Sequence, residues 1–224
     1  LYANLDRPGQ IDLIIPDSID SSDIGIIPAI IQFASTWVRR ENAGKLQLNL
    51  KDAPNSIEDF IKQPYAFPIV IMSWEKGIIS AATQEDLKSL LKPYNLKMHQ
   101  DMQSLNSLKG QKLILTCFDH LHPQKGLLNC FYNDDMTISS ESTVSFLLFP
   151  KISQVLSFNK EAASKSIAYA MEDLISIIYE LIKNTDDWAT TDENNQPLSP
   201  NVRGLYLNFI KKKKSSFANR YKNH

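Results

Sequence analysis

Short apolar runs alternate with longer amphipathic segments through the first half of the chain. Residues 11–15, which are apolar except for Asp12, predict a strand that Pro16 ends, and residues 45–50 alternate polar and apolar side chains at period two. A third strand is predicted at 68–72, which is apolar throughout. Helices are predicted at 24–40, 56–61 and 83–91. Strands that alternate with helices indicate an α/β layer with partly parallel pairing.

Proline, glycine and threonine mark the expected ends of two of these helices. Pro28 lies in the first turns of the helix at 24–40, and Gly44 follows that helix as a stop. Thr83 is a typical first cap and Pro93 a typical end for the helix at 83–91.

The second half of the chain has a different pattern. Residues 96–109 are polar with scattered apolar positions and are interpreted as a linker or loose helix. Three strand-like runs then predict an antiparallel meander, at 112–118, 127–132 and 144–149. Two further helices are predicted at 161–183 and 202–214. The chain is therefore predicted to be α/β, with an α+β second half, and to form two domains over 1–106 and 107–224.

The helix predicted from residue 161 has two distinct stripes. Glu180, Asn184 and Asp187 are spaced by four and three residues, which places them along one face of a helix. Another face is apolar at the same period and is predicted to face a core; it consists of Ile167, Met171, Leu174, Ile178 and Leu181.

An acid, a carboxamide and a second acid in line suit a site for a metal ion and phosphate. A carboxamide oxygen can ligate Mg²⁺, which keeps several waters and takes further ligands from phosphate. Glu180, four residues before Asn184, can orient or deprotonate a water. Because Glu180 lies between Ile178 and Leu181, an unpaired carboxylate there is expected to be costly without a function. The alternative is that these residues are only the exposed end of an amphipathic helix.

The stretch E-L-I-K-N-T-D-D-W at 180–188 resembles the N-box of the GHKL ATPases, the superfamily of gyrase, the heat-shock-90 chaperones, histidine kinases and the mismatch-repair ATPases. The pattern there is Glu-Leu-hydrophobic-x-Asn-small-x-Asp-small. The resemblance implies that Asn184 binds Mg²⁺, that Glu180 polarises water or a substrate hydroxyl, and that Asp187 supports the site from the next turn. Trp188 departs from the pattern, because a small residue is expected there. The resemblance covers residues 161–189 only.

The later motifs of that superfamily have no counterpart in this sequence. Its adenine-reading Asp and glycine-rich lid follow the N-box, but Gly204 is the only glycine after residue 189, and no Asp-x-Gly follows. The one Asp-x-Gly, at 23–25, lies upstream and in the wrong order. Either the chain is a fragment or its nucleotide fold is degenerate. Because the first residue is Leu1 rather than Met, we expect a fragment.

The resemblance implies Mg²⁺-dependent ATP binding, with hydrolysis or phosphoryl transfer, by a partial GHKL-type domain at 107–224. Residues 1–106 are then expected to form a regulatory or interaction domain. ATPases, kinases and ATP-gated clamps differ in segments beyond the N-box, so the N-box-like sequence does not distinguish among these three activities. The alternative is a non-catalytic protein-interaction module in which the helix serves only for packing. Expected partners are therefore a nucleotide and either another protein or a second copy of the chain.

Composition argues against nucleic-acid-binding and membrane-spanning proteins. A formal net charge of −1 gives no overall attraction to nucleic acid or to anionic membranes. No apolar run approaches the ~18 residues needed to span a bilayer. Cys117 and Cys130 are interpreted as buried free thiols in a reducing cytoplasm rather than as a disulfide. The basic residues at 211–214 are interpreted as a solvated helix end, and nucleic-acid contact there is the weaker interpretation.

A second candidate metal site lies at residues 119–122, D-H-L-H. A His-x-His pair can bind zinc, but no further ligand with suitable spacing is evident. A surface turn between a strand and Pro123 is the favoured interpretation.

Overall fold

The protein is described by a computed structural model over residues 2–20, 25–50, 55–106, 112–155 and 165–208, without the side chains of 155 and 165–168. The strands and helices are, in chain order, β1 (Ile11–Pro16), α1 (Ile26–Val38), β2 (Ala43–Asn49), α2 (Ser56–Ile61), α3 (Ala66–Met72), β3 (Ile78–Ser80), α4 (Lys88–Gln103), β4 (Lys112–Phe118), α5 (Pro123–Gly126), α6 (Glu141–Val155), α7 (Lys165–Trp188) and β5 (Val202–Asn208). This mixture of helices with a parallel sheet and a small antiparallel sheet confirms the α/β class.

The first sheet is parallel and has the order β1-β2-β3. Leu13 of β1 pairs with Leu46 of β2, which pairs in turn with Ile78 of β3. Parallel neighbours need a crossover, and α1 supplies it between β1 and β2. The indole N–H of Trp37 on α1 donates to the carbonyl of Ile11 at 2.7 Å, which holds this helix against the sheet. The predicted strands at 11–15 and 45–50 and the predicted helix at 56–61 are confirmed.

The strand predicted at 68–72 is wrong. These residues belong to α3, whose side chains are almost all buried, so the segment has no polar stripe to reveal a helical period. Pro68 is tolerated because it lies in the first turn of that helix. The third strand of the sheet is instead β3, whose three residues are too few to give a recognisable pattern.

The helix predicted at 83–91 begins later than expected. Residues 81–83 form a turn, and Gln84 has a φ of 63°, which a right-handed helix cannot accommodate. Regular helix starts only at Lys88. Thr83 is therefore a turn residue and not the helix cap; its hydroxyl donates to Glu85 at 3.1 Å.

The same helix also ends later than expected. Pro93 lies inside α4 and does not close it, and the helix continues to Gln103. Of the two interpretations of 96–109, the helix is confirmed over 96–103 and the linker is wrong there, while residues 107–109 lie outside the described part. A single internal proline removes one backbone hydrogen bond, and here the buried side chains beyond it hold the helix together; they are Asn95, Met98 and Met102.

The bounds of α1 are shorter than the predicted 24–40. The helix begins at Ile26 and ends at Val38, and Gly44 lies within β2 rather than acting as the stop. Residues 23 and 24 of the upstream Asp-x-Gly sequence lie outside the described part.

The second sheet has two strands, and β4 pairs with β5 in antiparallel register from Lys112 opposite Asn208. The helix predicted at 202–214 is therefore wrong over 202–208. Residues 209–224, with the basic tail, lie outside the described part. The apolar β4 is buried along nearly its whole length, and β5 supplies the hydrogen-bonded neighbour that it requires.

The predicted antiparallel meander is also wrong. Residues 127–132 are not a strand, and 144–149 lie within α6. The buried apolar residues of α6 recur every four positions, at Val144, Leu148 and Ile152. That spacing is helical, and it extends beyond the short window that suggested a strand.

One continuous cluster of buried apolar side chains includes residues from both predicted domains. The rings of Phe67 and Phe118 meet edge to face with centroids 5.7 Å apart, across the predicted division at residue 106. Whether residues 1–106 fold alone depends on how much of this core they retain, so the division into two domains stays a prediction.

Two further expectations concern the thiols and the membrane. Cys117 and Cys130 are free and buried, as expected, whereas the cytoplasmic location stays a prediction. Burial raises the pKa of the Cys117 thiol to about 11, so it is protonated and unreactive at neutral pH. Within the described part of the chain, no helix has the length and apolar character needed to cross a membrane.

Candidate functional site

The site candidates lie on α7, which runs unbroken from Lys165 to Trp188. The helix predicted at 161–183 is thus confirmed from 165 onward and extends further, while 161–164 lie outside the described part. Its buried face consists of Met171, Ile175, Ile178 and Ile182, each at most 6% exposed. These positions are spaced by four, three and four residues, which gives one continuous core-facing stripe.

This core face is rotated from the predicted one. Met171 and Ile178 are buried as expected and Leu174 is half-buried, but Leu181 is 53% exposed, so its assignment to the core is wrong. The side chain of Ile167 lies outside the described part. Ile175 and Ile182, absent from the predicted stripe, take the central positions.

The residues Glu180, Asn184 and Asp187, here called the acid–amide stripe, are all exposed on the outer face of α7. All three lie in regular helix, so the predicted spacing along one face holds. Within the described residues, none of their side chains makes a hydrogen bond or ion pair. The carboxylate of Glu180 is exposed to solvent. The expectation that an unpaired carboxylate at this position is costly is therefore wrong.

A different set of residues at the same end of α7 is paired around a buried arginine. We call Arg203, Asp119, Asp186 and Tyr132 the Arg203 cluster. The Arg203 guanidinium, 5% exposed, donates to both carboxylate oxygens of Asp119, from Nη2 at 2.5 Å and from Nε at 2.9 Å. Its Nη1 lies 3.1 Å from Asp186 and 2.6 Å from the Tyr132 hydroxyl. One cation thus holds two carboxylates, the arrangement that satisfies the fork geometry of arginine.

The proton positions in this cluster follow from its charges. Burial, followed by the hydrogen bond to Asp186, raises the pKa of Tyr132 well above its ordinary value. The hydroxyl therefore keeps its proton and donates it to Asp186 at 2.7 Å. Burial alone lowers the pKa of Arg203, but the hydrogen bond and charge of Asp119 outweigh burial and raise it overall. The Arg203 guanidinium therefore stays charged at neutral pH.

Asn201 and His120 extend the cluster toward the loop before β5. The Asn201 carboxamide donates to Asp119 at 2.8 Å and to the carbonyl of Ala189, just beyond α7, at 2.9 Å. The Asn201 backbone N–H lies 3.3 Å from Nδ1 of His120. These hydrogen bonds connect the loop before β5 to the end of α7 and to the end of β4.

The Arg203 cluster bears directly on the acid–amide stripe through Asp186. Asp186 lies between Asn184 and Asp187 on the last turns of α7, and its ion pair fixes the rotation of those turns against β5. The sequence reasoning singled out the exposed neighbours and missed Asp186. Arg203, Tyr132 and Asp119 lie 17, 54 and 67 residues from Asp186 in sequence, so no local pattern indicates the pairing.

The acid–amide stripe carries exposed oxygen atoms that could ligate a metal ion. In the described ranges, no three or more His, Cys, Asp or Glu side chains are grouped so that they could hold a metal ion. Residues 119–122 form a turn between β4 and α5, in agreement with the favoured interpretation. The carboxamide of Asn184 and the carboxylates of Glu180 and Asp187 are exposed oxygen donors of the kind that a hydrated Mg²⁺ accepts.

Apolar side chains lie beside the acid–amide stripe on the same outer face of α7. Ile177, Leu181 and Trp188 are 57%, 53% and 79% exposed. Their helical positions flank Asn184, so the face offers apolar surface and polar ligands together.

Comparison with protein-family models, with curated proteins and with solved structures finds no match for this chain.

Proposed function

We propose that α7 is the N-box-like helix of a GHKL-type domain and that its acid–amide stripe binds ATP together with Mg²⁺. The observation that carries the proposal is the combination of exposure and spacing. Glu180, Asn184 and Asp187 follow the N-box pattern, lie in unbroken helix, face outward and are engaged by no other side chain of the described residues. A side chain can bind a ligand only if other protein groups do not already occupy its polar atoms.

Each residue has a defined role in this proposal. Asn184 contributes its carboxamide oxygen as the protein ligand to Mg²⁺. The ion, when bound, neutralises charge on the phosphates. Glu180, one turn earlier, accepts a proton from the attacking water or from a substrate hydroxyl. Asp187 orients the site from the following turn, and Asp186 holds that turn in place through Arg203.

The proposal is tested by titrating the intact protein with ATP, with and without Mg²⁺, and measuring turnover in parallel. Asn184→Ala is expected to abolish Mg²⁺-dependent ATP binding, since the protein ligand is lost. Glu180→Gln is expected to retain binding while turnover falls by a factor of about 10²–10⁴, the usual contribution of a general base.

Glu172→Gln is the matched control, because Glu172 is exposed on α7 but lies away from the stripe. It is expected to leave binding and turnover unchanged. Absence of ATP binding by the intact wild-type protein at millimolar nucleotide rejects the proposal.

The second candidate is a non-catalytic protein-interaction module, and the exposed apolar residues of α7 favour it. Ile177, Leu181 and Trp188 expose enough apolar surface on one helical face to contact another protein chain. Sedimentation at increasing protein concentration tests for self-association, with Trp188→Ser as the variant. Self-association that Trp188→Ser removes, in a protein that binds no ATP, supports the module and contradicts the nucleotide site.

A further inference from the structure

A cleft of about 360 Å³ separates α1 from the β4–β5 sheet. Thr116 of β4 lies opposite Gly204 of β5 in the ladder, and both line the cleft. Side chains alternate across a strand, so Arg203 and its cluster lie on the other face of the same sheet. A Cβ at Gly204 would lie 2.7 Å from the backbone oxygen of Leu115 and 2.9 Å from the Thr116 methyl group, so the close approach of β4 and β5 at this point requires glycine.

Several buried polar groups interrupt the mainly apolar lining of the cleft. Of the seven buried polar or charged side chains in the described ranges, three line it, namely Ser35, Thr116 and Asn201. The Thr116 hydroxyl has only the sulfur of Met102 as partner, at 3.3 Å, and sulfur is a weak acceptor. The hydroxyl of Tyr206, also in the lining, is buried and has no hydrogen-bond partner in the described residues. Buried polar groups are normally paired, so the cleft lacks some of its partners.

Arg39 brings a positive charge to the same cleft from the end of α1. It is half-buried, and no acidic side chain among the described residues pairs with it. Burial lowers the pKa of Arg39 from its ordinary value, because desolvation disfavours the charged form. The adjacent Arg40 differs, since its guanidinium lies 2.7 Å from the Asp6 carboxylate. An anion in the cleft would supply the partner that Arg39 lacks.

We propose that this cleft binds a small organic carboxylate with an apolar body. The guanidinium of Arg39 holds the carboxylate, for which its paired N–H groups have matching geometry. The apolar body lies among Ile31, Ile114 and Leu205, which also line the cleft. A volume of about 360 Å³ accommodates roughly ten non-hydrogen atoms at the density of a liquid. One cation in a mainly apolar lining suits a singly charged carboxylate better than a phosphate dianion, which requires more donors.

The test uses 3-phenylpropionate and its neutral amide, 3-phenylpropionamide, as probes of equal size. Backbone amide shifts of the full chain are recorded by NMR while each probe is added. 3-Phenylpropionate is expected to shift the backbone N–H signals of Thr116 and Gly204. It is expected to bind about tenfold more tightly than 3-phenylpropionamide, which corresponds to ~1.4 kcal/mol. Equal binding of the two probes, shifts confined to residues elsewhere, or no binding at millimolar probe overturns the proposal.

Two variants identify the cation responsible. Arg39→Gln is expected to weaken 3-phenylpropionate binding about tenfold, to the level of the amide. Arg40→Gln removes the same charge from the neighbouring position and is expected to leave the affinity unchanged. An equal loss in both variants means that net charge, not the cleft, attracts the probe, and this result rejects the proposal. If Arg39→Gln fails to fold, the comparison of the two probes on the wild-type chain still decides.

Discussion

Asp186 and Asp187 are neighbours on α7, yet Asp186 is ion-paired to a buried arginine, whereas Asp187 is exposed and has no partner among the described residues. The same contrast separates the Arg203 cluster from the acid–amide stripe as a whole. A buried polar group must be paired, since an unpaired one loses its hydration without compensation. An exposed polar group keeps its water and stays available for a ligand. If the proposed function holds, stability and binding depend on different residues within two turns of one helix.

The largest expected effect on stability comes from disrupting the Arg203 cluster. Arg203→Met leaves Asp119 and Asp186 without their cation and should lower the free energy of unfolding by about 3–5 kcal/mol, as for other buried ion pairs that lose one member. Arg40→Met, which removes an exposed pair with Asp6, should cost only about 0–1 kcal/mol. Chemical denaturation measures both. Similar costs for the two variants would show that the Arg203 cluster is not the stabilising network described here.

The next largest effect on stability is expected to differ between the core-facing and the exposed side of α7. Ile178→Ala removes a side chain that is 2% exposed and should cost about 2–5 kcal/mol. Leu181→Ala, at a position 53% exposed, should change stability by less than about 0.5 kcal/mol. Thermal melts of the two variants test the orientation of the helix. A loss from Leu181→Ala as large as that from Ile178→Ala would mean that Leu181 faces the core, as the sequence-based stripe had it.

A smaller effect concerns pH and the loop that joins the Arg203 cluster. Burial lowers the pKa of His120, although the hydrogen bond with Asn201 and the charge of Asp119 oppose this shift. The unfolded chain therefore binds a proton more readily than the folded protein. Stability from this residue is retained above the unfolded pKa of about 6.5 and falls as the pH drops through that value.

The measurement is the free energy of unfolding between pH 7 and pH 5. His120→Gln should reduce its dependence on pH, and His122→Gln serves as the control from the same turn. Some dependence should remain, because burial also lowers the pKa of His99. A slope that His120→Gln leaves unchanged would contradict the assignment.

The smallest stability effect is expected from the acid–amide stripe. Asn184→Ala and Glu180→Gln alter exposed, unpartnered side chains and should each change the free energy of unfolding by less than about 0.5 kcal/mol. Denaturation curves recorded beside the binding titrations check this. Destabilisation of more than about 1 kcal/mol would place these residues with the Arg203 cluster as structural groups and would weaken the proposal of a ligand site.

Local sequence patterns predicted some elements well and others poorly, for identifiable reasons. The strand at 45–50 was predicted because one of its faces is buried and the other is not. Uniformly apolar segments lack that contrast, and the helix α3 was accordingly predicted as a strand. The segment at 202–208 was predicted as a helix, although it pairs with a strand about ninety residues earlier.

The candidate site divides in the same way. The spacing of Glu180, Asn184 and Asp187 was available from the sequence, and so was the expectation that they share one helical face. Their exposure was expected as one alternative, but the residues of α7 that face the core were only partly predicted, because they depend on the rotation of the helix against its neighbours. The Arg39 cleft was not predicted at all, since its walls come from α1 and from two strands distant in sequence.

The sequence by itself determined the α/β class, the helix α7, the regular spacing of the acid–amide stripe and the burial of both thiols. Each of these follows from residue type and from periodicities that span only a few positions. The tertiary structure decided the rotation of α7, the pairing of β4 with β5 and the assembly of the Arg203 cluster. These depend on contacts between distant segments, such as Asp119 with Arg203, 84 residues apart. No short sequence window contains both partners of such a contact.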